Sequence, residues 1–464
     1  MCNVSLNGTQ PSDASLRVLY ALEAAGLEAW FVGGWVRDAL MGRPSHDVDM
    51  CCSGLWQESK AALEAADIAV VESGIKFGGI TAICDDERIE VTTYRLDGFY
   101  TDGRHPQSVQ RAASLEDDLA RRDFTVNAMA WHPQRGLVDR YDGQGDLERK
   151  LIRAVGDPKR RFNEDALRML RAVRFACRLD FMIEPKTKQA LAECSSLLDA
   201  VARERVGIEL EGILSTGHGG DAMLRYPELI CVAVPELSPA RGFDQRSVYH
   251  AFNVYEHIAR VLTVAGELAL CDGVEPSPSL MWAAFLHDVS KPDCFTVDHA
   301  GSGHFYGHPE LGAKKARAIM DRLALSHDLV RDVCLLIKYH DKPLRPERSC
   351  LLNMMRALSG EGVDTARLID ELMDLKRADT LGKAPSCFYY VETIEEMRSL
   401  AHELLEAGEP YTLKMLAING GDLIRAGVKP GPELGQLLNS ALDAVIEDNI
   451  PNDREALLVH LNLN

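Results

Sequence analysis

Leu16, Leu19, Leu22 and Ala25 recur every three residues, and this spacing predicts an amphipathic helix within 16–30. The apolar start of FVGG (31–34) reads as a short strand, and WVRDAL (35–40) as the helix that follows it. IAVVESG (68–74), GITAICDD (79–86) and RIEVTTYRL (88–96) alternate or run apolar with β-branched residues and read as further strands. GFYTDGRHPQSVQRAA (98–113), rich in Gly, Pro and charge, reads as a mobile loop. A mixed α/β domain is therefore expected over 1–150. From residue 160 the pattern turns helical: RFNEDALRMLRAVRFACRL (161–179) has sustained helical periodicity with a start at Asn163–Glu164. Helices continue through 186–215, and ELSPARGFDQRS (236–247) marks a boundary. Three helical stretches follow the first domain, over 151–245, 246–385 and 386–464. The last of them carries the turn-rich NGGDLIRAGVKPGPELG (419–435).

The length of 464 residues suits about three or four such domains. A net charge of −19 excludes a nonspecific nucleic-acid binder, which needs positive charge along its surface. The charge is uneven, however. Between Arg95 and Lys188 there are 19 Lys/Arg against 15 Asp/Glu, so a polyanionic ligand is expected in this interval. The twelve cysteines form no CxxC pair and read as reduced thiols, and the first residues lack the basic start and apolar core of a signal peptide. No apolar run reaches the roughly 20 residues that span a bilayer. A cytoplasmic protein with no membrane association and no obligate protein partner is expected.

Two groups of residues carry candidate chemistry. Gly33 and Gly34, between a strand and a helix, let backbone approach a phosphate closely. Asp47 and Asp49 alternate with Val48 and Met50, so on a strand both carboxylates share one face, and they repel unless a cation such as Mg²⁺ sits between them. Glu90, flanked by Ile89 and Val91 on another strand, supplies a third acid; three acids beside a glycine turn suit two-metal phosphoryl transfer. Further along, Asp165, Arg168, Arg171 and Arg174 recur every three residues as one helical stripe opposite Leu167, Leu170, Val173 and Cys177. Such a stripe is either a solvated face with internal ion pairs or a site that holds a triphosphate and a base together. The second group is histidine-rich. His257, His287–Asp288 and Asp379, with His308 and His340, suit a divalent transition metal, and the last two histidines suit a second one. His250, His299, His304 and His327 read as structural or solvated.

The order apolar-Gly-Gly, twelve residues, Asp-apolar-Asp-apolar resembles the nucleotidyltransferase superfamily that includes DNA polymerase beta. More narrowly, GGWVRD, HDVD, IEVTTYR, DGRHP, DDLARRDFTVNAMA, YDGQGDL, LIRAVGDP and RFNEDALRMLRAVRFA occur in the order seen in bacterial class II CCA-adding enzymes and their poly(A) polymerase relatives. The resemblance covers roughly 31–185, and GDLIRAGVKPGPELG also resembles the C-terminal segment of these enzymes. It implies a multidomain α+β protein: a polymerase beta-like head over 1–150, a helical neck with a nucleotide-recognition helix over 151–245, a helical body over 246–385 and a tail over 386–464. It implies that Gly34 and Arg37, with Gly33, hold the triphosphate, that Asp47 and Asp49 hold Mg²⁺ with Glu90 as third acid, and that Arg122 and Asp123 contact the incoming nucleotide. Asp165 with Arg168 would read the base edges of CTP and ATP, with Arg171 and Arg174 on the same stripe. It also implies tRNA as acceptor, and the loop at DGFYTDGRHP, which CC-only enzymes lack, favours a complete CCA-adder. The order H…HD…D resembles the HD phosphohydrolase superfamily, implying phosphatase or cyclic phosphodiesterase action on RNA ends. A poly(A) polymerase, an HD hydrolase with a degenerate transferase head, and a non-catalytic RNA-binding module are the competing readings.

Overall fold

The computed structural model describes residues 6, 9–45, 47–73, 75, 78–97, 109–271 and 273–463. Residues 98–108, most of the expected loop over 98–113, lie outside the described residues. The chain divides into two compact units, Met1–Leu210 with Tyr226–Ala233, and Glu211–Arg225 with Val234–Asn464.

Among the described residues, the first unit is built on a sheet of seven strands: β1 (Ala29–Val32), β2 (Val48–Cys52), β3 (Ala69–Val71), β4 (Gly79–Cys84), β5 (Glu87–Thr93) and, after a separate two-stranded ribbon of β6 (Arg95–Asp97) and β7 (Val109–Arg111), β8 (Met129–His132) and β9 (Gly136–Asp139). Their order is β3-β4-β5-β2-β1-β8-β9. All neighbours are antiparallel except β2 and β5, which run parallel. Strand alternation fixes the two faces. Phe31, Met50, Ile80, Ile89 and Val91 enter one core beneath the Asp13–Ala24 helix, whereas Trp30, Val32, Cys51, Tyr94 and Leu119 enter the other. The adjacent Cys51 and Cys52 are both buried free thiols on opposite faces, so they serve no common site. The sequence reading found β1 to β5 and missed β8 and β9, which close the sheet beyond β1.

One helix boundary differs from expectation. Asn163 and Glu164 end a helix, Pro158–Glu164, that starts with Asp157 capping Lys159 N and Pro158 in the first turn. Asp165 is extended (φ −146°, ψ 106°), and the next helix runs Arg168–Leu179. The carboxylate explains the break. Asp165 Oδ1 accepts from Leu167 N at 3.0 Å, a local hydrogen bond that competes with helix continuation. Asp165 is therefore not on the arginine stripe; it sits in the elbow before it.

Among its described residues the second unit is helical, apart from a short hairpin of Thr296–Val297 and Gly303–His304 that the periodicity did not reveal. Helices Val254–Cys271, Pro278–Leu286, His308–Arg322, His327–Tyr339 and Thr365–Gly382 pack into its core. No helix among the described residues is long and apolar enough to cross a membrane.

Candidate functional site

Asp49 lies on β2 directly opposite Glu90 on the parallel β5. Parallel pairing in this register puts both side chains on one face, while Val48 and Met50 are buried on the other. Asp47 is exposed and precedes the strand by one residue, so it is not a strand residue as expected, although its charge still acts on Asp49. Burial, then the facing Glu90, pushes the Asp49 carboxyl up to about 6, with Asp47 adding to the repulsion and Arg122 and Arg37 opposing it. A carboxylate held this high beside two others is an unmet demand for positive charge, which a divalent cation satisfies. Gly33, at the end of β1, has φ +71°, and a Cβ there would stand 3.0 Å from Arg122 Nη1 and 3.5 Å from Asp49 Oδ2. The turn needs glycine both for its left-handed backbone and for the space.

Arg37 is buried and committed to protein partners. It donates to both oxygens of Asp38 at 2.8 Å and to Asn127 Oδ1 at 2.7 Å. Asn127 in turn donates to Asp123 Oδ1 at 3.2 Å, and Arg171 donates Nε and Nη2 to Asp123 Oδ2 at 2.9 and 2.8 Å. Burial alone would raise the Asp123 carboxyl, but Arg171, Arg168 and Asn127 together outweigh it and Asp123 settles at about 2. Arg122 and Arg121 share the buried Asp118, at 3.1 and 2.6 Å.

Asp49, Glu90, Arg122, Asp123, Asp165, Arg168 and Arg171 line one cavity of about 320 Å³; Gly33, Gly34, Arg37, Asp47 and Arg174 do not line it. Arg174 instead pairs with Glu209 at 2.6 Å, and Gly34 packs against the Arg37 guanidinium. Arg168 is buried, bonded to Glu164 Oε2 at 3.0 Å and the Arg121 carbonyl at 2.9 Å. Sequence reading missed Arg95, Arg121 and Arg205, which also line the cavity. Arg205 Nη2 donates to Asp165 Oδ2 at 3.0 Å, so one carboxylate oxygen is oriented by the elbow's own backbone and the other by a residue 40 positions away. Arg205 and Glu209 are four residues apart on one helix, and that spacing is the signal that could have revealed them.

The second unit brings its six expected residues together. His257 Nε2 lies 3.3 Å from Asp288 and 3.1 Å from Asp379, and His287 Nε2 lies 3.2 Å from Asp288. On the other Asp288 oxygen, His308 and His340 approach to 3.4 and 3.7 Å, with their own Nε2 atoms 3.3 Å apart. Every one of these histidines sets its Nδ1 against a backbone carbonyl: Gly382, Ala284, Phe305 and Ile337, at 2.7 to 3.2 Å. A carbonyl can only accept, so each Nδ1 carries the proton and each neutral ring offers a lone pair at Nε2. With all four rings neutral, four lone pairs and two carboxylates converge on one another. Both Asp288 oxygens are buried, no well-aligned hydrogen bond reaches either among the described residues, and the Lys291 ammonium stands 2.7 Å from Oδ2. Two triads, His257–His287–Asp288 and Asp288–His308–His340, have ligand atoms close enough for one ion each, with Asp288 between them. Burial disfavours the imidazolium at His257 and His308, but Asp288, joined by Asp379 at His257 and by Asp341 at His308, outweighs it and holds both above the usual histidine range. The donor set therefore fits divalent metal, which would replace those protons.

Three family profiles match the chain: "Poly A polymerase head domain" over residues 29–153, "Probable RNA and SrmB- binding site of polymerase A" over 180–240, and tRNA nucleotidyltransferase domain 2 over 308–461. A curated CCA-adding enzyme of Pediococcus pentosaceus is 33% identical over 449 residues, covering 96% of each chain. One of Leuconostoc mesenteroides is 31% identical over 95% of this chain and 93% of its own. Among solved structures, the Bacillus stearothermophilus CCA-adding enzyme in complex with CTP matches with a TM-score of 0.74 at 25% identity, covering 98% of this chain and 97% of that one. The Thermotoga maritima CCA-adding enzyme complexed with tRNA shares the fold, with a TM-score of 0.59 at 22% identity over 99% and 98%. By identity sustained along almost its whole length, the chain belongs to the CCA-adding enzyme family.

Proposed function

We propose that this nucleotidyltransferase adds CCA to the 3′ end of tRNA from CTP and ATP, releasing pyrophosphate, at the cavity of the first unit. The observation that carries the reading is that one cavity has a carboxylate pair at Asp49 and Glu90 and the arginine-clamped Asp165 in its walls. Asp47, Asp49 and Glu90 would hold Mg²⁺, which when bound polarises the α-phosphate and steadies the leaving pyrophosphate. The acceptor's terminal hydroxyl attacks that phosphorus. Arg122, beside Gly33, offers charge to the triphosphate, and Gly33 and Gly34 let the phosphates approach. Arg37 acts from behind the turn, through Asn127 and Asp123, to keep Arg171 in place.

Base choice falls to Asp165 and Arg168. A carboxylate accepts from the exocyclic amine that cytosine and adenine both carry, while a guanidinium donates to ring acceptors. Uracil and guanine present a carbonyl to the same carboxylate and are refused. The four-part division into head (1–150), neck (151–245), body (246–385) and tail (386–464) is the working frame for this assignment.

The test is incubation of tRNA lacking its 3′ end with CTP alone, ATP alone and both, followed by sequencing of the products. CCA only with both nucleotides is expected. An A-tail from ATP alone would replace this reading with a poly(A) polymerase.

A second reading concerns the second unit. The convergence of four Nε2 lone pairs on Asp288 supports a binuclear divalent transition-metal centre of HD type with phosphohydrolase activity. Its assay is stoichiometric uptake of Mn²⁺ or Ni²⁺ that is lost in Asp288→Ala; uptake unchanged in that variant would end the assignment.

A further inference from the structure

Two cavities share walls with the histidine–aspartate cluster: His340 and Asp379 are in the walls of both, and Asp288 and His308 in those of the smaller alone. The smaller, of about 300 Å³, is bounded by the hairpin segment Gly303–Gly307; the other, of about 660 Å³, runs past Lys342, Arg345, Lys376 and Tyr390. Asp341 and Lys383 are also in the walls of both. Each cavity falls within the range that accommodates a small organic group. A phosphomonoester has an organic group on one side of phosphorus only and would leave one cavity unused.

The two cavities also differ in chemistry. At the smaller one, Tyr306 is 78% exposed and stacks on His304 with centroids 5.4 Å apart and planes 7° apart, presenting a flat face of the kind on which bases stack. The larger one offers Lys342 and Arg345, cations suited to a further phosphate. At the junction stands Lys383, whose Nζ is 2.5 Å from Asp379 Oδ2 and whose side chain is 23% exposed. Its ammonium neutralises a carboxylate that a cation would otherwise claim. A cation on Asp379 repels that ammonium, and the flexible stem lets it turn into the junction.

We propose that this centre cleaves a linear phosphodiester in a short single-stranded nucleic acid, the two esterified groups occupying the two cavities and Lys383 contacting the phosphate between them. The proposal rests on the reading of the cluster as a metal centre. A water oxygen forms the new bond to phosphorus, one ester P–O bond breaks, and a water proton ends on the departing oxygen. The products are a phosphomonoester and a hydroxyl.

The experiment uses the full chain and begins with Mn²⁺ titration calorimetry. The Mn²⁺-loaded protein is then assayed on bis(4-nitrophenyl) phosphate, 4-nitrophenyl phosphate and a 2′,3′-cyclic nucleotide. Binding of a phosphorothioate-linked dinucleotide is measured alongside. The linear diester should exceed both other substrates in kcat/KM by at least about tenfold. Lys383→Gln and Tyr306→Ala should each weaken dinucleotide binding roughly tenfold, with Tyr306→Ala leaving inorganic phosphate binding unchanged. Mn²⁺ uptake with a preference for the monoester or the cyclic ester overturns this proposal alone, as does a dinucleotide bound no more tightly than a mononucleotide. Absence of Mn²⁺ uptake overturns the metal-centre reading and this proposal with it.

Discussion

Replacing Asp49 by asparagine should stabilise the first unit while destroying its chemistry. Burial and Glu90 raise the Asp49 carboxyl from 3.8 to about 6 in the folded, metal-free protein. Because the folded state holds the proton more tightly than the unfolded state, stability falls as pH rises from about 4 to about 6 and stays low above that. At about 1.4 kcal/mol per pKa unit, ionised Asp49 costs about 3 kcal/mol at neutral pH. Asparagine has nearly the same shape and no charge, so Asp49→Asn recovers most of this. For a unit of about 200 residues the gain is roughly 6 to 12 °C in the melting temperature of that transition. The assay is scanning calorimetry with chelator present, at pH 4 and pH 8. The variant should melt higher at pH 8 and equally at pH 4. Mg²⁺ should raise the wild-type transition and leave the variant's unmoved, and nucleotide incorporation by the variant should be lost. Equal melting at pH 8, or a variant that melts lower, would refute the claim that Asp49 stores repulsion which a cation relieves.

Asp47→Ala with Asp49→Ala should abolish incorporation with the far-ultraviolet circular dichroism unchanged; incorporation at the wild-type rate would remove these residues from the chemistry. Arg205→Ala releases one oxygen of Asp165 and, at roughly 1.5–3 kcal/mol for a charged hydrogen bond, should lower kcat/KM for CTP by about one to two orders of magnitude and relax discrimination against UTP. Unchanged CTP:UTP selectivity would confine Arg205 to a packing role. His287→Ala with Asp288→Ala should leave CCA addition intact while removing metal uptake by the second unit, and loss of both activities would show that the units are not separable. Because His257 and His308 are held above the usual histidine range, their contribution to metal-free stability is complete below about pH 6.5 and is lost as pH rises through their folded values. Mn²⁺ affinity should rise over the same interval, read by calorimetry in buffers of differing ionisation enthalpy, and a pH-independent affinity would contradict the tautomers assigned to the cluster.

Much of this was legible along the chain because the signals are local. The glycine pair, the alternation around Asp49 and the identity of the histidines and aspartates each show within a few residues, since side-chain direction repeats every two positions in a strand. Of the stripe at Asp165, Arg168, Arg171 and Arg174, the three arginines do share one helix, and Asp165 falls outside it because helical periodicity says nothing about a local carboxylate bond that breaks the helix there. Strands β8 and β9 escaped because four-residue strands carry little pattern of their own.

By itself, the sequence determined which chemical groups are available and on which face of a short element each one points. Only the tertiary structure decided which of them meet. The Asp49–Glu90 register depends on β2 pairing with β5, the orientation of Asp165 on a helix 40 residues on, and the Asp288 cluster on five segments spread from His257 to Asp379. Those meetings are set by burial of apolar faces far apart in the chain, so they are properties of the packed core rather than of any stretch within it.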